Sequence, residues 1–180
     1  LRVTNNAAAA NTKLDITCDF LGVEGSGLSA VNVTADITLT GANGRQSDQT
    51  EAANEWWFAY VIYNPTAGTV AGFLSESATA PTLPSGYTKK RRVGALYNDS
   101  GSNFRQFVQV DRIVTYEGDT EGGGPYRALS AGSATTYTDV SWASGVPPIV
   151  RRAYVTASIQ SPTGSTTLRI RANGSSNTGQ

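Results

Sequence analysis

Hydrophobic and polar residues alternate along most of this chain in short bursts, a pattern that predicts β-strands separated by turns. Leu14–Phe20 and Val31–Leu39 each place apolar residues on one face and polar residues on the other. The apolar face of the first segment consists of Leu14, Ile16, Cys18 and Phe20. The glycine-rich segment Gly22–Ser29 lies between them and predicts a turn. Since no stretch follows a helical period, the pattern predicts an all-β chain.

The segment Trp56–Tyr63 is apolar at every position. A strand that is apolar on both alternate faces is buried on both sides, so we expect this one at the centre of the fold. Asn64–Gly68 follows with the proline and glycine of a tight turn, and Thr69–Ser75 resumes the strand pattern. Together these segments predict a β-hairpin.

The rest of the chain predicts further strands and loops. Ser77–Gly86 contains two prolines, so we expect a surface connection there. Lys90–Tyr97 and Phe104–Thr115 predict a second hairpin, and Gly118–Pro125 predicts an exposed glycine-rich loop. Later strands are expected at Thr135–Trp142, Val150–Ile159 and Thr166–Arg171.

These segments add up to about nine or ten strands at roughly ten-residue intervals, which is typical of an antiparallel β-sandwich of the jelly-roll kind. A chain of 180 residues fits a single domain that spans residues 1–180. Within that domain we expect residues 1–10 and 174–180 to be extended or frayed.

Composition narrows the classes of function. Basic and acidic side chains balance at 14 each, which argues against binding nucleic acid or an anionic membrane through net charge. The lack of histidine excludes histidine-dependent triads and histidine-ligated metal sites, and a single cysteine, Cys18, excludes an internal disulfide. No apolar run approaches the roughly 18 residues that a membrane span requires. We therefore expect no cofactor and no metal.

Two aromatic residues near predicted loops are candidates for binding a sugar. Trp142 and Tyr126 can stack their rings on apolar sugar faces, and Asp119 and Glu121 in the glycine-rich loop can accept hydrogen bonds from sugar hydroxyls. The alternative is that Trp142 belongs to the core and that the two acids only keep the loop soluble.

The basic run at residues 89–92 is the sharpest charge feature. On a strand its members alternate, so Lys89 and Arg91 share one face. Arg169 and Arg171 also share a face, and all four are candidates for a subunit interface, where arginine is enriched. The alternative is a charged strand that discourages wrong pairing.

Catalysis without histidine would depend on paired carboxylates, as in glycan cleavage. Glu117, Asp119 and Glu121 are the acids that a polysaccharide-degrading enzyme would use here. Solvated loop acids are the simpler interpretation, so we assign no catalytic residue.

The stretch from Gly41 to Tyr116 resembles a β-rich module of surface proteins of tailed bacteriophages and prophages. The residues that carry the resemblance lie in segments 41–44, 56–66, 68–75, 77–87, 92–95 and 104–105. Sequences of this kind often continue from the first segment with Leu-Asp-Thr-Gly, whereas Arg45–Asp48 stands here. The role of that loop therefore does not carry over to this chain.

The resemblance implies a non-enzymatic structural protein of a phage particle: a tail-fibre, head-fibre or decoration module. It would be assembled in the bacterial cytoplasm and displayed on the virion surface. Its partners would be other virion proteins, further copies of itself with a trimer as the first expectation, and host surface glycans. A carbohydrate-binding module that recognises such glycans is the alternative, and a polysaccharide-degrading enzyme is a third interpretation.

Overall fold

The computed structural model describes residues 1–117, 128–129, 132–134, 136, 138–155 and 157. Eight strands lie in this part, and none of its residues is helical, so the prediction of an all-β chain is confirmed. The strands are β1 (Arg2–Asn5), β2 (Lys13–Val23), β3 (Ser26–Asp36), β4 (Glu55–Asn64), β5 (Thr69–Ser75), β6 (Lys89–Asn98), β7 (Phe107–Val110) and β8 (Ile113–Tyr116).

The strands form two antiparallel sheets that share one hydrophobic core. One sheet has the order β3-β2-β1-β7-β8 and the other has the order β5-β4-β6. Their facing sides bury Val3, Leu14, Ile16, Trp57, Val61, Leu74, Val93 and Phe107 in a single cluster. At Gly72 in β5 the backbones come so close that an added Cβ would lie 2.9 Å from the carbonyl oxygen of Thr34 in β3.

Strand β4 is buried on both faces, as its sequence predicts. Its second face belongs to another apolar cluster that includes Phe58, Tyr60, Ile62, Ala71 and Phe73. The connection between β5 and β6 covers this cluster: Pro81 is buried there, and Leu83 and Tyr87 pack against it. The proline-containing segment is therefore a surface connection, as predicted, and it also packs over the second apolar cluster and covers it.

Polar contacts fasten this connection to the sheet. The Tyr60 hydroxyl donates a hydrogen bond to the carbonyl oxygen of Ser77 at 2.7 Å, and burial raises the pKa of this phenol although nearby Arg92 opposes the effect. Arg92 donates to the carbonyl oxygen of Ala78 and lies 5.9 Å from the ring centre of Phe58. These contacts hold β6 and the connection together around the outer face of β4.

The expected inward position of Phe20 is wrong. The pairing of β2 with β3 keeps one register throughout but is interrupted at Asp19 and Ala30, between the pairs Cys18–Val31 and Phe20–Ser29. Ala30 has a φ of 51°, and across this interruption the buried positions of β2 change from Leu14 and Ile16 to Leu21 and Val23. Leu21 faces the core instead, and Phe20 is 70% exposed.

The second predicted hairpin is also wrong. Strand β6 pairs with β4, whereas β7 pairs with β1 in the other sheet, so the turn at residues 99–103 carries the chain between sheets. The predicted strand Phe104–Thr115 is divided into β7 and β8 by a turn at Asp111, whose φ is 51°. Turn-forming residues between two strands do not by themselves specify that the strands pair.

Part of the segment at residues 1–10 that we expect to be extended or frayed is an extended strand. Arg2–Asn5 forms the middle strand of the five-stranded sheet. The described residues of the strands predicted at 135–142 and 150–159 lie outside strands. The strand predicted at 166–171, the loop at 118–125 and the tail at 174–180 lie outside the described residues.

Replacing Gly72 with alanine tests the close approach of the two sheets. Since the new Cβ would meet the Thr34 carbonyl at 2.9 Å, we expect a loss of stability of roughly 1–3 kcal/mol in urea unfolding. Gly22→Ala is the matched control, because its Cβ would approach nothing nearer than Arg91 at 3.7 Å. Equal effects of the two substitutions would contradict this packing.

Candidate interaction surface

An apolar groove lies at one end of the five-stranded sheet, between β2 and the β7–β8 hairpin and next to Arg91 of β6; it is defined here by Phe20, Leu21, Arg91, Val108, Val110 and Ile113. Its exposed members Phe20, Val110 and Ile113 lie on the outer face of that sheet, whereas Leu21 faces the core. Val110 and Ile113 are cross-strand partners in β7 and β8. They are 55% and 71% exposed, and Phe20 is 70% exposed. The groove is open and has a volume of about 660 Å³. Large apolar side chains exposed side by side are typical of a binding surface.

Charged groups of both signs lie around the apolar groove. Arg91 extends from β6 and donates a hydrogen bond to the carbonyl oxygen of Gly22 at 2.9 Å. Asp111 and Arg112 form the exposed turn between β7 and β8 at the groove's margin. The groove therefore has an apolar surface, the fixed guanidinium of Arg91, and one acidic and one basic side chain at its edge, of which Asp111 pairs with the N-terminal ammonium group of Leu1 at 3.1 Å.

The basic run follows the predicted alternation and ties the two sheets together. Lys89 donates from Nζ to the Ser26 hydroxyl at 2.8 Å, so it reaches the β2–β3 hairpin beside Arg91. Lys89 and Arg91 thus share one side of β6, whereas Arg92 binds the connection on the other side. Within the described residues these cations serve the fold, and Arg91 also lines the groove. Arg169 and Arg171 lie outside those residues.

Trp142 is 39% exposed, so it lies at the surface. Its carbonyl oxygen accepts hydrogen bonds from the backbone N–H groups of Gly145 and Val146, which closes a turn. Trp56 donates from Nε1 to the carbonyl oxygen of Ala143 at 2.7 Å and fastens this turn to β4. Tyr126, Asp119 and Glu121, the other members of the predicted sugar site, lie outside the described residues.

The turn at residues 142–146 rests beside an aromatic cluster. The rings of Trp56 and Tyr97 meet edge to face with centres 5.1 Å apart. The guanidinium of Arg105 lies 4.9 Å from the ring centre of Tyr97 and 5.8 Å from that of Tyr116, and it donates to the carbonyl oxygen of Ser144. The side chains of Trp56 and Arg105 therefore hold the turn through its backbone carbonyls.

Acidic side chains gather where β4 begins and β5 ends. Glu76 is an exposed residue, but partial desolvation of its carboxyl raises the pKa of that group, and the nearby carboxylates of Glu55 and Asp48 raise it further. Glu117, the one described member of the acids assigned to an enzyme, is exposed just after β8. No three acidic or cysteine side chains in the described part of the chain converge to hold a metal ion.

Comparisons with protein-family models, with curated proteins and with solved structures find no match for this chain. Among the described residues no helix is long and apolar enough to cross a membrane. The arrangement of the described side chains is therefore the basis for a functional assignment.

Sequence reasoning missed Phe20, Val110 and Ile113 as surface residues. Each lies in an alternating apolar pattern, which predicts a core position equally well. One signal was present: Asp111 and Arg112 interrupt the apolar run of Phe104–Thr115 and are compatible with a turn. The change of face in β2 has no comparable signal, because it depends on the interruption of its pairing with β3.

Glu76→Gln tests the acidic cluster. A carboxyl whose pKa is raised by folding binds protons more tightly in the native state than in the unfolded state. Its contribution to the free energy of unfolding therefore falls as pH rises through that pKa. At pH 7 the substitution should therefore raise the free energy of unfolding, by less than about 1 kcal/mol because Glu76 is exposed. The gain should vanish near pH 3. Glu117→Gln is the control, and an equal gain at both pH values would refute the explanation.

Proposed function

We propose that this chain is a non-enzymatic structural module of a bacteriophage particle, displayed on the virion surface as part of a tail fibre, a head fibre or a decoration protein. Its fold would be a β-sandwich of the jelly-roll kind, and it would act by assembly. Two features support the proposal: the resemblance carried by segments between Gly41 and Tyr116, and a doubly buried central strand that makes the scaffold rigid.

The single observation that carries an assembly role is the apolar groove. Burying a side chain such as Phe20, Val110 or Ile113 contributes about 1.5–3 kcal/mol, so leaving all three in water forgoes several kcal/mol. The rest of this face is polar along β1 and β2, with Thr4, Asp15 and Thr17 at outward positions. An apolar area within a polar face favours a protein partner.

The occupant that we infer is a second copy of this chain. The groove carries Arg91 and Arg112 together with Asp111, so the same surface on another copy offers opposite charges to each. The chain has no net charge, so copies do not repel one another at long range. Ile113–Tyr116 is also the last strand of its sheet among the described residues, which places a strand edge beside the groove. Contact between the same groove on two copies has two-fold symmetry and gives a dimer, whereas the trimer that the resemblance implies would use a second surface as well. Either oligomer would bury these features.

Val110→Asp tests this assignment through the oligomeric state. Light scattering on the purified full chain should show an oligomer for the wild type and a monomer for the variant, because a carboxylate cannot be buried unpaired in an apolar interface. Leu39→Asp is the matched control, since Leu39 has the same exposed fraction of 55% as Val110.

Circular dichroism should show that both variants keep the strand content of the wild type. A monomeric wild type, or dissociation of the Leu39→Asp control as well, would contradict assembly through the groove.

A carbohydrate-binding module is the second candidate, and the exposed ring of Trp142 is the observation that favours it. Trp57 is fully buried and Trp56 is tied to Ala143, so Trp142 is the most accessible tryptophan of the chain. A ring in this position can stack on the apolar face of a sugar while keeping its edge in water.

Tryptophan fluorescence distinguishes this candidate from a purely structural role. If the chain binds host surface glycans, titration should quench the emission saturably, and Trp142→Ala should abolish the quenching while leaving the thermal unfolding midpoint within a few degrees of wild type. Dextran, as an unrelated polysaccharide, is the control titrant. If glycans from no susceptible host quench the emission, the carbohydrate-binding candidate is contradicted and the structural module is the proposal that stands.

A further inference from the structure

Residues 149–155, called here the exposed segment, are all exposed, and from Val150 onward they lie outside strands and turns. Among the described residues, the one backbone hydrogen bond of this segment runs from the N–H of Val150 to the carbonyl oxygen of Pro147 at 3.0 Å. Tyr154 is 96% exposed, so its ring touches almost nothing of the fold. From Arg151 onward the backbone is therefore open to a partner.

The chain just before the exposed segment is fixed to the two sheets. Trp56 Nε1 donates a hydrogen bond to the carbonyl oxygen of Ala143 at 2.7 Å, and Arg105 donates to the carbonyl oxygen of Ser144. Gly145, which ends this turn, is buried. The exposed segment thus begins a few residues beyond a turn that the fold holds in place.

Two adjacent arginines, Arg151 and Arg152, lie at the centre of the exposed segment. No hydrogen bond or ion pair in the described part of the chain involves either guanidinium. Lys89 and Arg91 differ from them, because each binds an oxygen of the β2–β3 hairpin. Residues 140–157 also contain no acidic side chain. Both guanidinium groups are therefore available to the carboxylate of an external partner.

An accessible backbone beside a free arginine is the substrate of one class of enzyme. Proteases bind several consecutive residues along the backbone, so a bond within a strand pair is cut only after local unfolding, whereas exposed segments are cut directly. Trypsin-like serine proteases select arginine before the bond, because a carboxylate in their specificity pocket binds the guanidinium. With the cut after Arg152, the exposed segment supplies four residues before the bond and three after it.

We propose that Arg151–Arg152 is a processing site at which a trypsin-like serine protease hydrolyses the peptide bond between Arg152 and Ala153. The serine of the protease attacks the carbonyl carbon of Arg152, the bond to the nitrogen of Ala153 breaks, and that nitrogen takes up a proton. Water then releases Arg152 as a free carboxylate and restores the serine. The inference does not depend on the proposed phage function.

Cleavage at this bond would separate the described fold from residues 153–180. All eight described strands end at or before Tyr116, so the cut breaks none of them. The apolar groove and Trp142 both lie before the bond, in the part that the turn at residues 142–146 fastens to the sheets. The protease would therefore detach the rest of the chain from both candidate binding surfaces and leave the two-sheet core folded.

Arg112 offers a comparison within the same chain. It is also exposed, but it lies in the two-residue turn between β7 and β8, where Val110 pairs with Ile113. Hydrolysis after Arg112 therefore requires the hairpin to open first. Since the open state of a paired element is rare, we expect this bond to be cut on the order of a hundredfold more slowly than the bond after Arg152.

Limited digestion of the full native chain with trypsin, followed by mass spectrometry, tests the site. The first products should include a new N terminus at Ala153, well before any cut after Arg112. Arg152→Gln should move the cut to the bond after Arg151, and the double variant Arg151→Gln/Arg152→Gln should lose it. Chymotrypsin should still cut the double variant after Tyr154, which shows that the exposed segment keeps its accessibility.

Two controls separate structure from local sequence. In a chain kept unfolded by urea, hydrolysis after Arg112 should become comparable with hydrolysis after Arg152, which accounts for the acidic Asp111 beside Arg112. Thermal unfolding of the cut product should give a midpoint within a few degrees of that of the intact chain.

Three results would overturn the proposal. The first is a native chain that trypsin leaves intact after both Arg151 and Arg152 while the unfolded chain is cut there. The second is cleavage after Arg112 at an equal rate in the native chain. The third is a cut product that unfolds, because the exposed segment would then belong to the core.

Discussion

The burial of β4 on both of its faces is the constraint on which the rest of the structure depends. A strand with apolar residues on both faces needs other parts of the chain to pack on each face. The neighbouring strands of its own sheet cover neither face. The five-stranded sheet covers one face with Val3, Leu14 and Ile16. The connection between β5 and β6 covers the other through Pro81 and Leu83, so a segment without regular structure takes part in the core.

This arrangement leaves the outer face of the five-stranded sheet as the larger free surface of the described chain. A free surface is expected to be polar, and the outward positions of β1 and β2 follow that expectation. The β7–β8 hairpin does not follow it, since Val110 and Ile113 face solvent together with Phe20. Because of this contrast between the two halves of one face, we propose the apolar half as the surface that binds a partner.

Although the total charge of the chain is balanced, basic and acidic side chains are separated along β6. Its first residues are basic and contact the β2–β3 hairpin and the Ala78 carbonyl, which fastens the two sheets at one end. Its last residue, Asn98, lies among acidic side chains at the other end, where Glu55 begins the antiparallel strand β4. One end of the core is therefore closed by its own cations, whereas at the other end Glu55 Oε2 and Asn98 Oδ1 have no hydrogen-bond partner among the described residues.

The sequence by itself determined the strand class, the doubly buried strand β4 and its hairpin with β5, because alternation and tight-turn residues are local properties. It also determined that histidine and disulfide chemistry are absent from the chain. Tertiary structure alone decided which sheet each later strand joins, since pairing depends on the backbone groups that other strands leave free. The same holds for the groove and for the Glu55–Asn98 pair: the outward position of Phe20 follows from the interruption of the β2–β3 pairing at Asp19 and Ala30, and Glu55 comes to lie opposite Asn98 only when β4 and β6 align.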